Sequence, residues 1–184
     1  MMNERYLSLT PIILIMPVEK ATIKDVPELI HLINNAYRGE HSRKGWTSEA
    51  DIFDGERISQ EMLEELFKHT SATILKYTSE SNTITGTVYL EIRKNALYLG
   101  MLTVSPELQG KGIGKILLEE GEVFAKQNNC QKITMSVIKN RKELIAWYER
   151  HGYQFTGEIL PFYDDGRFGK PKQPITLMVL AKDI

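Results

Sequence analysis

The chain has 184 residues, 42% hydrophobic and 26% charged, with a single cysteine. That length suits one domain whose core needs no staples, and one thiol excludes an intramolecular disulfide scaffold. Lys and Arg total 23 against 24 Asp and Glu, a formal charge of −1, so there is no bulk basic field for nucleic acid.

The most apolar early run, Ile12-Ile13-Leu14-Ile15-Met16, is far short of the roughly 20 apolar residues of a membrane-crossing helix. Glu4 beside Arg5 and the bulky Met16-Pro17-Val18 do not fit a cleaved leader. The run reads as a first strand after a flexible tail over 1–11, opening a domain over 12–184. The expectation is a cytoplasmic protein with no membrane partner. Thr22-Ile23-Lys24-Asp25 then looks like a helix start, with Pro27 in the first turn. Leu29, Ile30, Leu32, Ile33, Ala36 and Tyr37 recur at helical spacing, which predicts an amphipathic helix over 25–38. From Gly39 to Asp54 the periodicity disappears around an isolated Trp46, and a loop of that length inside a compact domain is usually functional. A second helix is expected over 59–68.

Three strand-like runs follow, 72–78, 83–92 and 96–104, separated by hairpin-length connections. A helix over 112–128 and a strand over 133–138 come next. Leu144, Ile145, Trp147 and Tyr148 then mark a helix that His151-Gly152 stops. Two last strands, 153–159 and 175–181, are joined by the turn-rich segment Pro161–Pro174. The alternation of periods predicts a single α/β domain.

Chemistry concentrates in residues 99–118. A buried strand ends at Pro106, and a glycine-rich turn opens directly into a helix. Gly110, Gly112 and Gly114 lack side chains, so an anion can approach the N–H groups of Gln109 to Gly114, which are unpaired donors at a helix start. Lys111 and Lys115 add positive charge. The nucleoside-triphosphate template fails at Gln109 and Ile116, and the dinucleotide fingerprint fails at Lys115 or Leu117, depending on its starting glycine.

The pattern Gln109-x-x-Gly112-x-Gly114, after Leu102-Thr103-Val104, resembles the acyl-coenzyme A signature of the Gcn5-related N-acetyltransferase (GNAT) family. Trp147-Tyr148-Glu149-Arg150-His151-Gly152-Tyr153 resembles the same family's downstream aromatic segment. The resemblance implies an α/β (α+β) single-domain fold: a mixed, mainly antiparallel sheet of about seven strands with helices on both faces, splayed between strands 96–104 and 133–138. It implies acetyl-CoA as cosubstrate and a primary amine of a small molecule, amino acid or peptide as acceptor. Backbone groups of Leu102, Thr103 and Val104 would pair with the pantetheine arm. Gln109, Gly110, Lys111, Gly112, Ile113, Gly114 and Lys115 would hold the pyrophosphate, and Tyr148 would protonate the departing thiolate.

Two positions depart from the family pattern. Arg141 stands where many members have a pantetheine-contacting asparagine; Asn140 lies one residue earlier, as a cofactor contact or a helix cap. Tyr98 stands where some members have a glutamate base; Glu91 on the adjacent strand would serve through a water or is a solvated strand acid. Substrate selection is assigned to Gly39–Asp54 and Pro161–Pro174, with Trp46, Glu49 and Tyr98 as acceptor contacts. Their acidic groups would attract a cationic amine, and Arg43 or Arg167 would equally suit a substrate carboxylate. The four histidines show no metal-ligand spacing, so no metal is expected, and Cys130 reads as structural. Homodimerisation is left open. A coenzyme A-binding sensor without turnover and a nucleotide-binding protein are the competing readings.

Overall fold

The structure, a computed structural model, describes residues 17–184. The strand expected over 12–16 and the tail over 1–11 lie outside the described residues. Strand β1 (Val18–Lys20) pairs antiparallel with β3 (Ala72–Thr78). Between them, the Asp25 carboxylate accepts from the backbone N–H and hydroxyl of Thr22 at 2.7 and 3.1 Å. This fold-back makes Ile23–Asp25 a tight 3-10 turn, and helix α1 proper runs Val26–Tyr37, one residue inside the expected span at each end. α2 (Gln60–Lys68) starts at Ser59, whose hydroxyl caps the Met62 N–H.

The long strands β4 (Ile84–Arg93) and β5 (Ala96–Val104) follow as a hairpin. Then come α3 (Ile113–Gln127), β6 (Lys132–Ile138), α4 (Lys142–Arg150), β7 (Gln154–Pro161) and β9 (Thr176–Asp183). Among the described residues seven strands form one sheet in the order β1-β3-β4-β5-β6-β9-β7. Every neighbouring pair is antiparallel except β5 with β6.

Side-chain alternation places the core on both faces of the sheet. Leu75, Val88, Leu90, Leu97 and Leu99 point to the face covered by α3 and α4, where they meet Leu117, Leu118, Ile145 and Tyr148. Ile74, Ile84 and Tyr89 point to the other, against Val26, Leu29, Ile33 and Leu63 of α1 and α2. β4 is buried on both faces over residues 84–90, where Thr85, Gly86 and Thr87 share the interior with Ile84, Val88, Tyr89 and Leu90.

The sheet is divided at its one parallel junction. β5 and β6 pair only over Ala96–Tyr98 with Lys132–Thr134, while β6 pairs along its whole length with β9. Opposite Val88, β5 carries two residues, Met101 and Leu102, where β4 has one, and Met101 has φ +52°. This bulge twists the end of β5 away from β6 and opens a wedge between the two half-sheets.

The two segments expected as separate loops are stitched together. Gly39–Asp54 contains a 3-10 turn at Glu40–Lys44 and strand β2 (Phe53–Asp54), which pairs with β8 (Lys170–Pro171) inside Pro161–Pro174. Two-residue strands are too short to leave a periodicity in sequence. The join is fixed by Arg38 at the end of α1, whose Nη1 donates to the carbonyls of Glu56 and Phe168. Gly169 sits there at φ +76°, where an added Cβ would collide with Arg38 Nη1 and the Asp54 carbonyl. Gly169→Ala should therefore cost about 1–3 kcal/mol or more. At about 2–4 °C per kcal/mol for a chain of this size, the loss should be plain in thermal unfolding; an unchanged Tm would mean that the join is not tightly packed.

Candidate functional site

The wedge between β5 and β6 holds two cavities. The first, about 640 Å³, lies between the end of β5, the start of α3 and helix α4. The second, about 270 Å³, lies between α1, the bulge of β5, β6 and the stitched β2–β8 wall. Tyr37, Leu102, Arg141, Leu144 and Tyr148 line both, so the cavities meet at these side chains.

The first cavity has the architecture of an anion cradle. Gly110 and Gly112 have φ of +79° and +88°, and a Cβ built at either meets nothing within 4 Å. The open left-handed turn feeds α3, whose start at Gly112 has no side-chain cap. The N–H groups of Ile113, Gly114 and Lys115 precede the first helical bond, from the Ile116 N–H to the Gly112 carbonyl at 3.0 Å. They are the free donors of a helix N-terminus, where the dipole favours an anion. Gly114 is packed differently: a Cβ built there would sit in ordinary contact with Trp147 and Val104, each at 3.6 Å.

Gln109 has a role that the motif does not disclose. Its Oε1 accepts from the Trp46 N–H at 2.9 Å, and its Nε2 donates to Thr47 Oγ1 at 2.8 Å and the Val104 carbonyl at 3.2 Å. The side chain thus clips the 39–54 segment to the end of β5. The Leu102 carbonyl accepts from the Tyr37 hydroxyl at 3.1 Å. A strand residue directs its N–H and C=O to the same side, so Leu102 and Val104 turn their backbone groups away from β4 and into the wedge. Thr103 turns the other way: it is buried, and its hydroxyl donates to the Met101 carbonyl at 2.9 Å.

Tyr148 stands on α4 where the cavities join. Its ring packs edge-on to Trp147 and Tyr153, at centroid distances of 5.0 and 5.8 Å. Burial pushes its phenol far above the ordinary range, with Tyr37 adding to the effect and Arg141 opposing it. The phenol therefore stays protonated at neutral pH.

The remaining expected residues divide. Gln109, Gly110, Gly112, Ile113, Gly114, Lys115, Leu102 and Val104 line the first cavity, whereas Lys111, Thr103 and Asn140 do not. Asn140 is exposed, and α4 begins at Arg141 with no side-chain cap. Glu91 lines neither cavity; its carboxylate is held by Arg93 at 2.6 Å. Trp46, expected on the acceptor side, lies in the first cavity, 6.4 Å from the Trp147 ring. Glu49 and Tyr98 line the second. Arg43 and Arg167 stay on the surface, paired with Asp51 and Asp165 and more than half exposed. Among the described residues no His, Cys, Asp and Glu group has the makings of a metal site, and no helix is long and apolar enough to cross a membrane. Cys130 lies in the core away from both cavities, and burial raises its thiol.

Sequence reasoning missed Tyr37, Arg38, Arg57 and Ser136 of the second cavity and Arg150 and His151 of the first. Tyr37 read as a core position of α1, and the arginines carried no motif. Arg141 was noticed only as a departure from a pattern.

A glycine-rich cradle thus follows a splayed strand, with a buried phenol where the two cavities join. The profile of the Acetyltransferase (GNAT) family matches residues 27–153. The chain belongs to this family. Among curated Bacillus subtilis proteins, a spermine/spermidine N(1)-acetyltransferase is 34% identical over 73 residues, 39% of this chain and 48% of that protein. The uncharacterized protein YdhI is 31% identical over 74 residues, 40% and 46% of the two chains. The matches thus span about half the length of these relatives. Among solved structures, the PaiA N-acetyltransferase of Thermoplasma acidophilum, in complex with coenzyme A, superposes with a TM-score of 0.65. It is 20% identical, over 91% of this chain and 98% of that one. The ribosomal-protein-S18-alanine N-acetyltransferase of Escherichia coli gives 0.67 at 15% identity, over 91% and 92%. At these identities the likeness is one of fold.

A methyl group at Gly112 would intrude on the cradle while clashing with no neighbour. Gly112→Ala should lower coenzyme A affinity about tenfold or more by calorimetry, with a stability loss limited to about 1–2 kcal/mol of left-handed backbone strain. Unchanged affinity would separate this turn from the coenzyme.

Proposed function

We propose that the protein is an acetyl-CoA-dependent N-acetyltransferase that transfers the acetyl group directly to a primary amine. The observation that carries this reading is the meeting of two cavities at Tyr148: one has an anion cradle, and the other lies against α1, β6 and the stitched wall. A sensor of acyl-CoA needs only the first. A nucleotide-binding protein has no use for the strand edge of Leu102 and Val104, and the chain's family favours the acetyl carrier.

In this reading, backbone N–H groups of residues 112–115 and Lys115 hold the diphosphate, and the pantetheine arm lies along the open edge of β5 as an added strand. The N–H groups of the bulged strand polarise the thioester carbonyl. The neutral amine, in the second cavity, attacks the acetyl carbon. An N–C bond forms and the C–S bond breaks; the departing sulfur takes a proton from Tyr148, and the proton the amine loses returns to the phenolate through solvent, so the phenol is restored. Arg141, whose charge partly offsets the penalty on ionising Tyr148, favours that transfer. Holding both reactants in one cleft supplies most of the acceleration. No covalent enzyme intermediate is involved, and a buried Cys130 fits a protein of the reducing cytoplasm.

Tyr148 makes no hydrogen bond to another described side chain, so Tyr148→Phe leaves no partner stranded. Its kcat, followed by thiol release, should fall about 10²-fold or more with coenzyme A affinity retained; full kcat would remove the acid role. The pH profile is a separate check. An amine must be neutral to attack, so kcat/KM should rise with pH up to the acceptor's own pKa. Because the Tyr148 phenol is raised, no descending limb should follow below about pH 10, the ordinary phenol value; a fall between pH 7 and 9 would assign the proton to another group.

A further inference from the structure

The charge of the second cavity opposes the expectation of an acidic acceptor side. Arg38, Arg57 and Arg141 line it against one carboxylate, Glu49. Glu49 divides its two oxygens between Arg38, at 3.3 Å, and Arg141, at 3.9 Å. Both arginines are deeply buried, with side chains 5% and 10% exposed. Nε of Arg38, Nη1 of Arg57 and Nη2 of Arg141 are all buried with no acceptor among the described residues. A guanidinium cannot shed its charge near neutral pH, and burying it with unfilled donors is costly. An oxyanion on the ligand resolves the deficit, and arginine's planar fork suits a carboxylate.

Arg57 is held as though to receive one. Its own N–H and that of Ile58 donate to Asn34 Oδ1 at 2.8 and 3.1 Å, which anchors the base of the side chain. Its guanidinium lies 5.3 Å from the Tyr37 ring and 5.2 Å from the Phe168 ring. Two aromatic rings thus flank the guanidinium, and no carboxylate among the described residues pairs with it. The other walls are apolar: Phe53, Met101, Met135, Phe162 and Leu177. At about 270 Å³ the cavity lies below the roughly 300–1,000 Å³ of sites for drug-sized ligands, so its occupant is small.

We propose that the acceptor is a free α-amino acid with an apolar or aromatic side chain, held through its carboxylate by Arg57 and Arg141. The proposal rests on the acetyl-transfer reading and names the acceptor of that same site. With the carboxylate seated there, the amino group one carbon away lies at the junction where Tyr148 serves both cavities, and the product is an N-acetyl amino acid. A polyamine would bring only positive charge to a cavity with two uncompensated arginines, so this chain selects against it.

Thiol release from acetyl-CoA should be measured with apolar and aromatic α-amino acids, their decarboxylated amines, their carboxamides and spermidine. The amino acids should be turned over with kcat/KM about tenfold or more above the others. Arg57→Gln should raise KM for the amino acid about 10–100-fold, as expected for loss of a charged hydrogen-bonding partner, and leave kcat and the KM for acetyl-CoA nearly unchanged. Arg57→Lys should recover part of the loss. Equal or better turnover of spermidine or the decarboxylated amine, or an Arg57→Gln defect shared by all amines, overturns the proposal. Calorimetry with the amino acid on the coenzyme A-loaded protein separates the two levels. Binding that Arg57→Gln abolishes, without thiol release from any amine, keeps the carboxylate site and removes the transfer reading. Absent binding together with turnover of other amines removes the carboxylate site alone.

Discussion

The whole arrangement depends on a sheet that stops pairing with itself partway along. β5 and β6 share three residue pairs and then part, and the left-handed Met101 in the bulge commits β5 to leave. Unpaired backbone groups inside a protein are costly, so a fold that opens its own sheet must satisfy them in another way. Here the Tyr37 hydroxyl and the Gln109 amide take the carbonyls of Leu102 and Val104. The N–H groups on the same edge remain for a ligand that binds as a strand. The gap is therefore both the structural weak point and an open strand edge facing the cavities.

The second constraint is the position of positive charge. Arg38 bridges from α1 to the Glu56 and Phe168 carbonyls, joining two segments that are far apart in sequence. The same side chain contacts Glu49, which in turn reaches Arg141 at the head of α4. Burial disfavours the charge on Arg38 and Glu49 supports it. A chain of alternating charge thus connects the acceptor wall to the helix that carries Tyr148. Arg57 stands outside that chain with a buried nitrogen unmatched among the described residues, which gives the second cavity a charged point rather than a uniformly apolar wall.

The coenzyme side was legible in sequence to a degree that the acceptor side was not. Backbone carries much of the cradle: glycines, a helix start and a strand end leave marks at fixed spacing, and Gly110 and Gly112 do adopt the left-handed conformation their type permits. Even so, Gln109 belongs to the pattern as a clip between loop and strand, a contact across 62 positions to Thr47 that no local reading supplies. The residues of the second cavity come from α1, the 53–58 turn, β6 and the 162–168 segment. Arg57 and Tyr37 have no mutual spacing rule, so a single chain of letters gives no reason to place them face to face. Arg43 and Arg167 looked equally suitable as letters, and only solvent exposure distinguishes them from Arg38 and Arg57.

By itself the sequence determined the order of the longer helices and strands and the glycine-rich turn that opens α3, because each follows from hydrophobic period or from glycine within a short window. The helices on both faces of the sheet came from the family resemblance. Tertiary structure alone decided how far β5 and β6 separate, which short strands join the variable segments, and which arginines turn inward. Those outcomes depend on pairing and burial between distant parts of the chain, where the free energy belongs to the contact and not to either residue.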